Sequence, residues 1–217
     1  MSLFFPHREA GKEPRSDLRQ PMTLESRINL VGESIRILVK RFTECSFRFA
    51  RPAEVFPGPE NMASAAIARI EREVGTVPLA LKLFWQRVGS VDLCGFHPEW
   101  KGCAYPDPLV VYPPSVAIQE LDGFLADKEE RLRTDFPYVV PVAPDPKHKA
   151  DVSGGMGYDL TVPAIADDPP LNDEWHHATF VAYLELALQW AGFPGLSHCP
   201  GHSWLIDELV RGLGEGS

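Results

Sequence analysis

Between residues 24 and 42, apolar side chains recur at steps of three and four: Leu24, Ile28, Val31, Ile35, Leu38, Val39 and Phe42. The spacing predicts an amphipathic helix, with Thr23 as its N-cap and Arg27, Glu33, Arg36 and Lys40 on the polar side. "RPAEVFPGPE" then interrupts the pattern and predicts a boundary near residue 59. Periodicity resumes in "NMASAAIARIEREVG", a second helix with Asn61 as cap and Gly75 at its end. Pro78 suits the first turn of a third helix, "PLALKLFWQRVG", because its missing N–H would have no partner there. Leu81, Phe84, Trp85 and Val88 form that helix's apolar stripe, and Gly89 closes it.

Short extended segments follow. "VDLCGF" and "PLVVYP" predict strands on either side of the loop "DLCGFHPEWKGC". Ser115 is the expected cap of a fourth helix, "VAIQELDGFLADKEERLR". "YVVPVAP" and "GYDLTVP" predict two more strands, joined by "DPKHKADVSGGM". A fifth helix, "TFVAYLELALQWAG", takes Thr179 as cap, and "SWLIDELVRGL" predicts a last short one. Helices and strands come in irregular order, without β-α-β alternation. The expected class is therefore α+β, an antiparallel or mixed sheet packed with helices. The expected organisation is a flexible arm (1–22), a helical extension with a Pro-rich linker (23–59), and a main domain (60–217).

Composition places this pattern in a globular class: 44% apolar and 24% charged residues can build a core. No apolar run reaches membrane-span length, and the first residues lack the apolar stretch of a signal peptide. The expected location is the cytoplasm, with Cys45, Cys94, Cys103 and Cys199 as reduced thiols. The net charge of −9 is concentrated in one region. From Ala150 to Val210 there is no Lys or Arg, against nine Asp and Glu. Such a field repels nucleic acid and attracts basic proteins. It also suits a merely solvated face.

Cys94, His97 and Cys103, with His198, Cys199 and His202 in "SHCPGH", supply the residue types of a zinc site. The site requires the two loops to meet, and Cys103 lies beyond the usual pair spacing; loop and core residues explain them more simply. Cys199 has histidines beside it in sequence but no orienting partner, and no nucleophile elbow is present. "SGGMGYD" precedes a strand, so it does not fit a phosphate loop. The acid pairs Asp167–Asp168 and Asp173–Glu174 read as solvated lead-in to the fifth helix, with His176 and His177 as a pH-sensitive element. Neither a metal nor a cofactor is expected, and no enzymatic activity.

The run "IARIEREVGTVPLALKLFWQRVG" resembles the opening of the SUKH superfamily, shared by fungal cell-wall-assembly regulators and bacterial immunity proteins. The matching positions are Ile70, Glu73, Gly75, Pro78, Leu81, Phe84 and Gly89. "YVVPVAPD", "GGMGYDLTVP", "NDEW" and "TFVAYLELAL" are similar to its later motifs, in the same order. Residues 61 to about 192 are covered. The resemblance implies a non-enzymatic fold that binds another protein, typically a toxin and often a nuclease, and neutralises it by occlusion. Asp145, Asp151, Asp159, Asp167, Asp168, Asp173 and Glu174 are the candidate charges, with Trp100 and Trp175 as candidate anchors. The alternative is a regulatory or scaffold protein without a toxin partner, docking or forming a homodimer through its first helix. Under the immunity reading, removal of residues 1–59 is expected to leave partner binding intact.

Overall fold

The computed structural model of the chain describes residues 22–98, 105–129, 136–198 and 203–213. Its helices are α1 (Leu24–Glu44), α2 (Ala63–Val74), α3 (Leu79–Arg87), α4 (Pro114–Glu129), α5 (Pro146–Lys149), α6 (Phe180–Gln189) and α7 (Ser203–Val210). Its strands are β1 (Arg48–Phe49), β2 (Val91–Asp92), β3 (Gly95–Phe96), β4 (Val110–Val111), β5 (Tyr138–Ala143) and β6 (Tyr158–Val162). The class is mixed α+β. No described helix is long and apolar enough to cross a membrane.

Local signals set several ends as expected. Thr23 accepts the Ser26 N–H at 3.1 Å, and Thr179 accepts the Ala182 N–H at 3.3 Å. Two other caps differ. Asn61 does not cap α2, which starts after Met62 without a side-chain cap. Ser115 lies inside the first turn of α4, and Glu60 does the capping from across the fold. Glu60 accepts the Ser115 N–H at 3.2 Å and its hydroxyl at 2.7 Å.

Ile28, Val31, Ile35, Leu38 and Phe42 of α1 are all buried, packed against α3, α6 and α7 in the same core as the rest of the chain. Phe42 stacks within an aromatic cluster, its ring 4.7 Å from Phe47 and 5.6 Å from Phe193. The segment expected as an extension is thus an internal wall. The Pro-rich stretch after it is equally engaged. Val55 O accepts the Asp92 N–H at 3.1 Å. Gly89 lies against Gly58 so closely that a Cβ would stand 2.0 Å from the Gly58 carbonyl oxygen, and its φ of +95° also favours glycine.

β5 and β6 form an antiparallel hairpin with Val140 opposite Leu160. Tyr138, Val140, Val142, Tyr158, Leu160 and Val162 point into the core, while Val139 and Thr161 are exposed on the outer face. The Tyr112 N–H donates to Val142 O at 2.7 Å and joins the β2–β4 pair to this hairpin. "VDLCGF" is not one strand. Asp92 Oδ1 accepts the Cys94 N–H at 2.9 Å, turning the chain so that β2 pairs with β4 and β3 with β1.

Because α1 completes the core, a chain starting at residue 60 is expected to show no cooperative urea transition. Circular dichroism through a urea titration checks this. A sharp transition in the truncated chain would mean that residues 60–217 fold alone.

Candidate functional site

The outer sheet face opens into a groove of about 1360 Å³. Its floor is built from β2, β4 and the outward positions of β5 and β6, including Val139, Pro141 and Asp159. One wall is the Pro-rich segment, a second is the start of α4 with Val116 and Glu120, and the third is α5 with Asp151. Glu54, Glu60, Glu120, Asp151 and Asp159 bring negative charge to it. Arg51 is the cation on its surface, and its guanidinium is taken: Nε donates to Asp92 Oδ2 at 2.6 Å, and Glu54 lies 3.2 Å away.

The α5 wall is tied down twice. Asp145 caps it, accepting the Lys147 N–H at 2.9 Å and a hydrogen bond from the His148 ring. Burial pushes the Asp145 carboxyl up, but the hydrogen bonds from His148 and Lys147 outweigh this and hold it below its usual value. Gly155 closes over the same carboxylate, where a Cβ would stand 2.3 Å from Asp145 Oδ1, so no larger residue fits without movement.

The second tie is Lys149. Its side chain turns away from the groove and is 0% exposed, as is its partner Asp107. Nζ donates to Asp107 Oδ1 at 2.6 Å and to the Tyr183 hydroxyl at 3.2 Å. It also lies 4.8 Å from the centre of the Tyr158 ring, whose hydroxyl donates to Asp107 Oδ2 at 3.3 Å. Burial, followed by the Asp107 carboxylate, pushes both phenols far up, so both stay protonated, Tyr158 as a donor to Asp107 and Tyr183 as an acceptor from Lys149. Nothing in the sequence marked Lys149 or Asp107. The one local hint is Asp107's φ of +49°, a conformation that Asp tolerates better than most residues.

The residues expected to matter are distributed as follows. Cys94 is buried, and burial together with Asp92 pushes its thiol up to about 12, so it is no ready nucleophile at neutral pH. His97, expected on an open loop, is buried, with Nε2 2.9 Å from Cys45 O. Cys103, Cys199, His202 and Trp100 lie outside the described residues, as does the side chain of His198. Among the described residues, no three His, Cys, Asp or Glu side chains converge to hold a metal ion.

The acids divide by role. Glu174, expected in a solvated pair, is buried. It accepts the His176 and Ala178 N–H groups at 2.9 and 3.0 Å, and its other oxygen meets the His176 ring at 2.8 Å. Asp168 holds the start of α6, accepting the Thr179 hydroxyl at 2.8 Å and the Val181 N–H at 3.0 Å. Asp159 is bound by Asn172 at 2.6 Å, and its carboxyl is pushed up by burial and then by Asp173. Asp151, Asp167 and Asp173 are exposed, and Trp175 is 47% exposed. Asp145 and Glu174 therefore offer no free charge to a partner. Glu54, Glu60 and Glu120 had no motif to reveal them.

Removing Lys149 strands a buried carboxylate. Lys149→Met is expected to destabilise the fold by about 3–5 kcal/mol, and adding Asp107→Asn should recover part of that loss. Urea transitions of the two single variants and the double variant measure the coupling, and simple additivity would show that the pair does not act as a unit. Asp145 gives a pH test. Its native value is lowered, so its contribution is present above the ordinary carboxylate value of about 3.9 and fades as pH falls through the native value. Asp145→Asn should cost about 1 kcal/mol near neutral pH and close to nothing at about pH 2. Urea transitions at the two pH values check it; an unchanged gap would exclude this linkage.

Compared with protein-family models, with curated proteins and with solved structures, the chain finds no match in any of the three.

Proposed function

We propose that the chain is a non-enzymatic, cytoplasmic protein-binding module that neutralises a protein toxin by occluding it. The observation that carries this reading is the broad groove on the outer sheet face, lined by more acids than basic groups, with its surface guanidinium already paired. Such a surface attracts a basic protein and repels nucleic acid. A nuclease domain, which must present cations to its substrate, is the fitting partner class. Apolar side chains line the same groove, among them Val116, Val139 and Pro141, and supply the area that a stable interface needs.

The motif positions behind the SUKH resemblance are compatible with this reading. Ile70, Leu81 and Phe84 are fully buried, and Gly75 and Gly89 both have positive φ. A scaffold acting through the first helix is less well supported, because that helix spends its apolar stripe on the core.

The experiment is co-expression with protein toxins encoded beside the gene. Rescue of growth, and a stoichiometric complex on size-exclusion chromatography, are the expected results. Association should slow steeply as salt rises, since steering of this kind is screened beyond about 10 Å at 0.1 M. Absence of both rescue and complex with every neighbouring product would overturn the proposal.

A further inference from the structure

We infer that the groove on the outer face of β5 and β6 is the contact surface, and that it receives a lysine- or arginine-bearing segment of the partner flanked by apolar residues. This rests on the protein-binding reading and adds to it the place and the chemistry of recognition.

Three observations lead here. The first is an uncovered sheet face. Val139 and Pro141 alternate with fully buried neighbours and line the groove, with Asp159 of β6 opposite Pro141, so the hairpin has one face in the core and part of the other in the groove. The second is the fate of the cations. Three basic side chains line the groove, Arg51, His148 and Lys149, and the His148 ring is bonded to Asp145. Arg51 is held by Asp92 and Glu54, and the Lys149 side chain is withdrawn into the core with 0% exposure. Glu120 and Asp151, exposed on facing walls, have no ion pair among the described residues and are left unopposed. The third is the apolar margin. Val139 is 38% exposed on the floor, and Pro57, Val116 and Pro141 line the groove with it, while Val152 and Met156 are exposed on the loop between the lining residues Asp151 and Gly157.

Together these specify an occupant. Negative walls call for cations, and apolar floor and rim call for aliphatic flanks. An anionic ligand is repelled by the same walls. A small cation alone would leave the apolar margin unused. Basic side chains with apolar stems and neighbours satisfy both parts.

The full chain can be tested with a fluorescein-labelled peptide alternating lysine and valine, read by fluorescence anisotropy. A peptide with glutamate in place of lysine and one with serine in place of valine are the comparisons. Saturable binding of the lysine–valine peptide is expected, with weaker binding of both others. Glu54→Lys, Glu120→Lys and Asp151→Lys together should weaken binding at least about tenfold. The same change in charge placed elsewhere, at Glu44→Lys, Asp207→Lys and Glu208→Lys, should change it by less than about twofold. Urea transitions establish that both variants are folded. The milder set Glu54→Gln, Glu120→Gln and Asp151→Asn gives the same ranking if the reversals unfold the chain.

Equal loss from the two reversal sets would mean unspecific charge attraction and overturn the inference. So would equal binding of the serine peptide, or no binding of the lysine–valine peptide. The co-expression partner separates the two proposals. If it binds the groove variant as tightly as the native chain, the groove is wrong while the binding-module reading stands. If no partner is found, that reading fails whatever the peptide does.

Discussion

The Lys149–Asp107 pair is the constraint on which the groove's architecture depends. A charge taken out of water costs several kcal/mol even after relaxation, so a pair with 0% exposure survives only if its remaining donors and acceptors are also met. Here they are. One ammonium proton goes to Asp107 and another to Tyr183, and the Tyr158 ring offers its face to the remaining charge. The second carboxylate oxygen takes the Tyr158 hydroxyl. The four groups come from the loop before β4, from α5, from β6 and from α6. One ammonium thus joins two connections, a strand and a helix, and places α5 as a wall. It also removes from the groove a cation that would have cancelled part of its field.

That arrangement explains why some of the fold is legible in sequence and some is not. Thr23, Thr179 and Gly89 act on partners within a few residues, or through their own backbone conformation, so their roles follow from local chemistry, whereas Pro78, expected in the first turn of α3, stands one position earlier, at its N-cap. Ser115 looked like a cap by the same logic. Its partner is instead Glu60, 55 residues away, and no window of local sequence contains both. The boundary near residue 59 failed for a related reason. Prolines and a glycine mark where regular structure stops, but they do not say whether the irregular chain departs or lies down. Here Gly58 lies against Gly89 and Val55 bonds Asp92.

The cysteine–histidine loop shows the difference between residue type and chemistry. Cys94 and His97 carry atoms that zinc accepts, and in sequence they sit three apart. Burial decides their use. Beside Asp92 and away from water, the Cys94 thiol does not readily give up its proton, because a thiolate there would be both desolvated and next to a carboxylate. His97 reaches back to the Cys45 carbonyl and links the end of α1 to β3. Both residues serve the packing around the aromatic cluster of Phe42 and Phe47.

The acidic stretch after Ala150 calls for the same distinction, and here it changes the functional picture. Counting charges treats every carboxylate as available to a partner. Glu174 and Asp168 are spent on N–H groups and hydroxyls of their own chain, and Asp159 on Asn172. Each of these bonds does work that some acceptor must do, because an unpaired buried N–H costs about 1–3 kcal/mol. Part of the acid content of this stretch therefore serves the chain's own backbone. The free negative charge of the groove is drawn partly from elsewhere, from Glu120 on α4. Tertiary structure, by bringing Glu120 and Asp151 to one groove and folding Lys149 inward, builds a field that no single segment of the sequence contains.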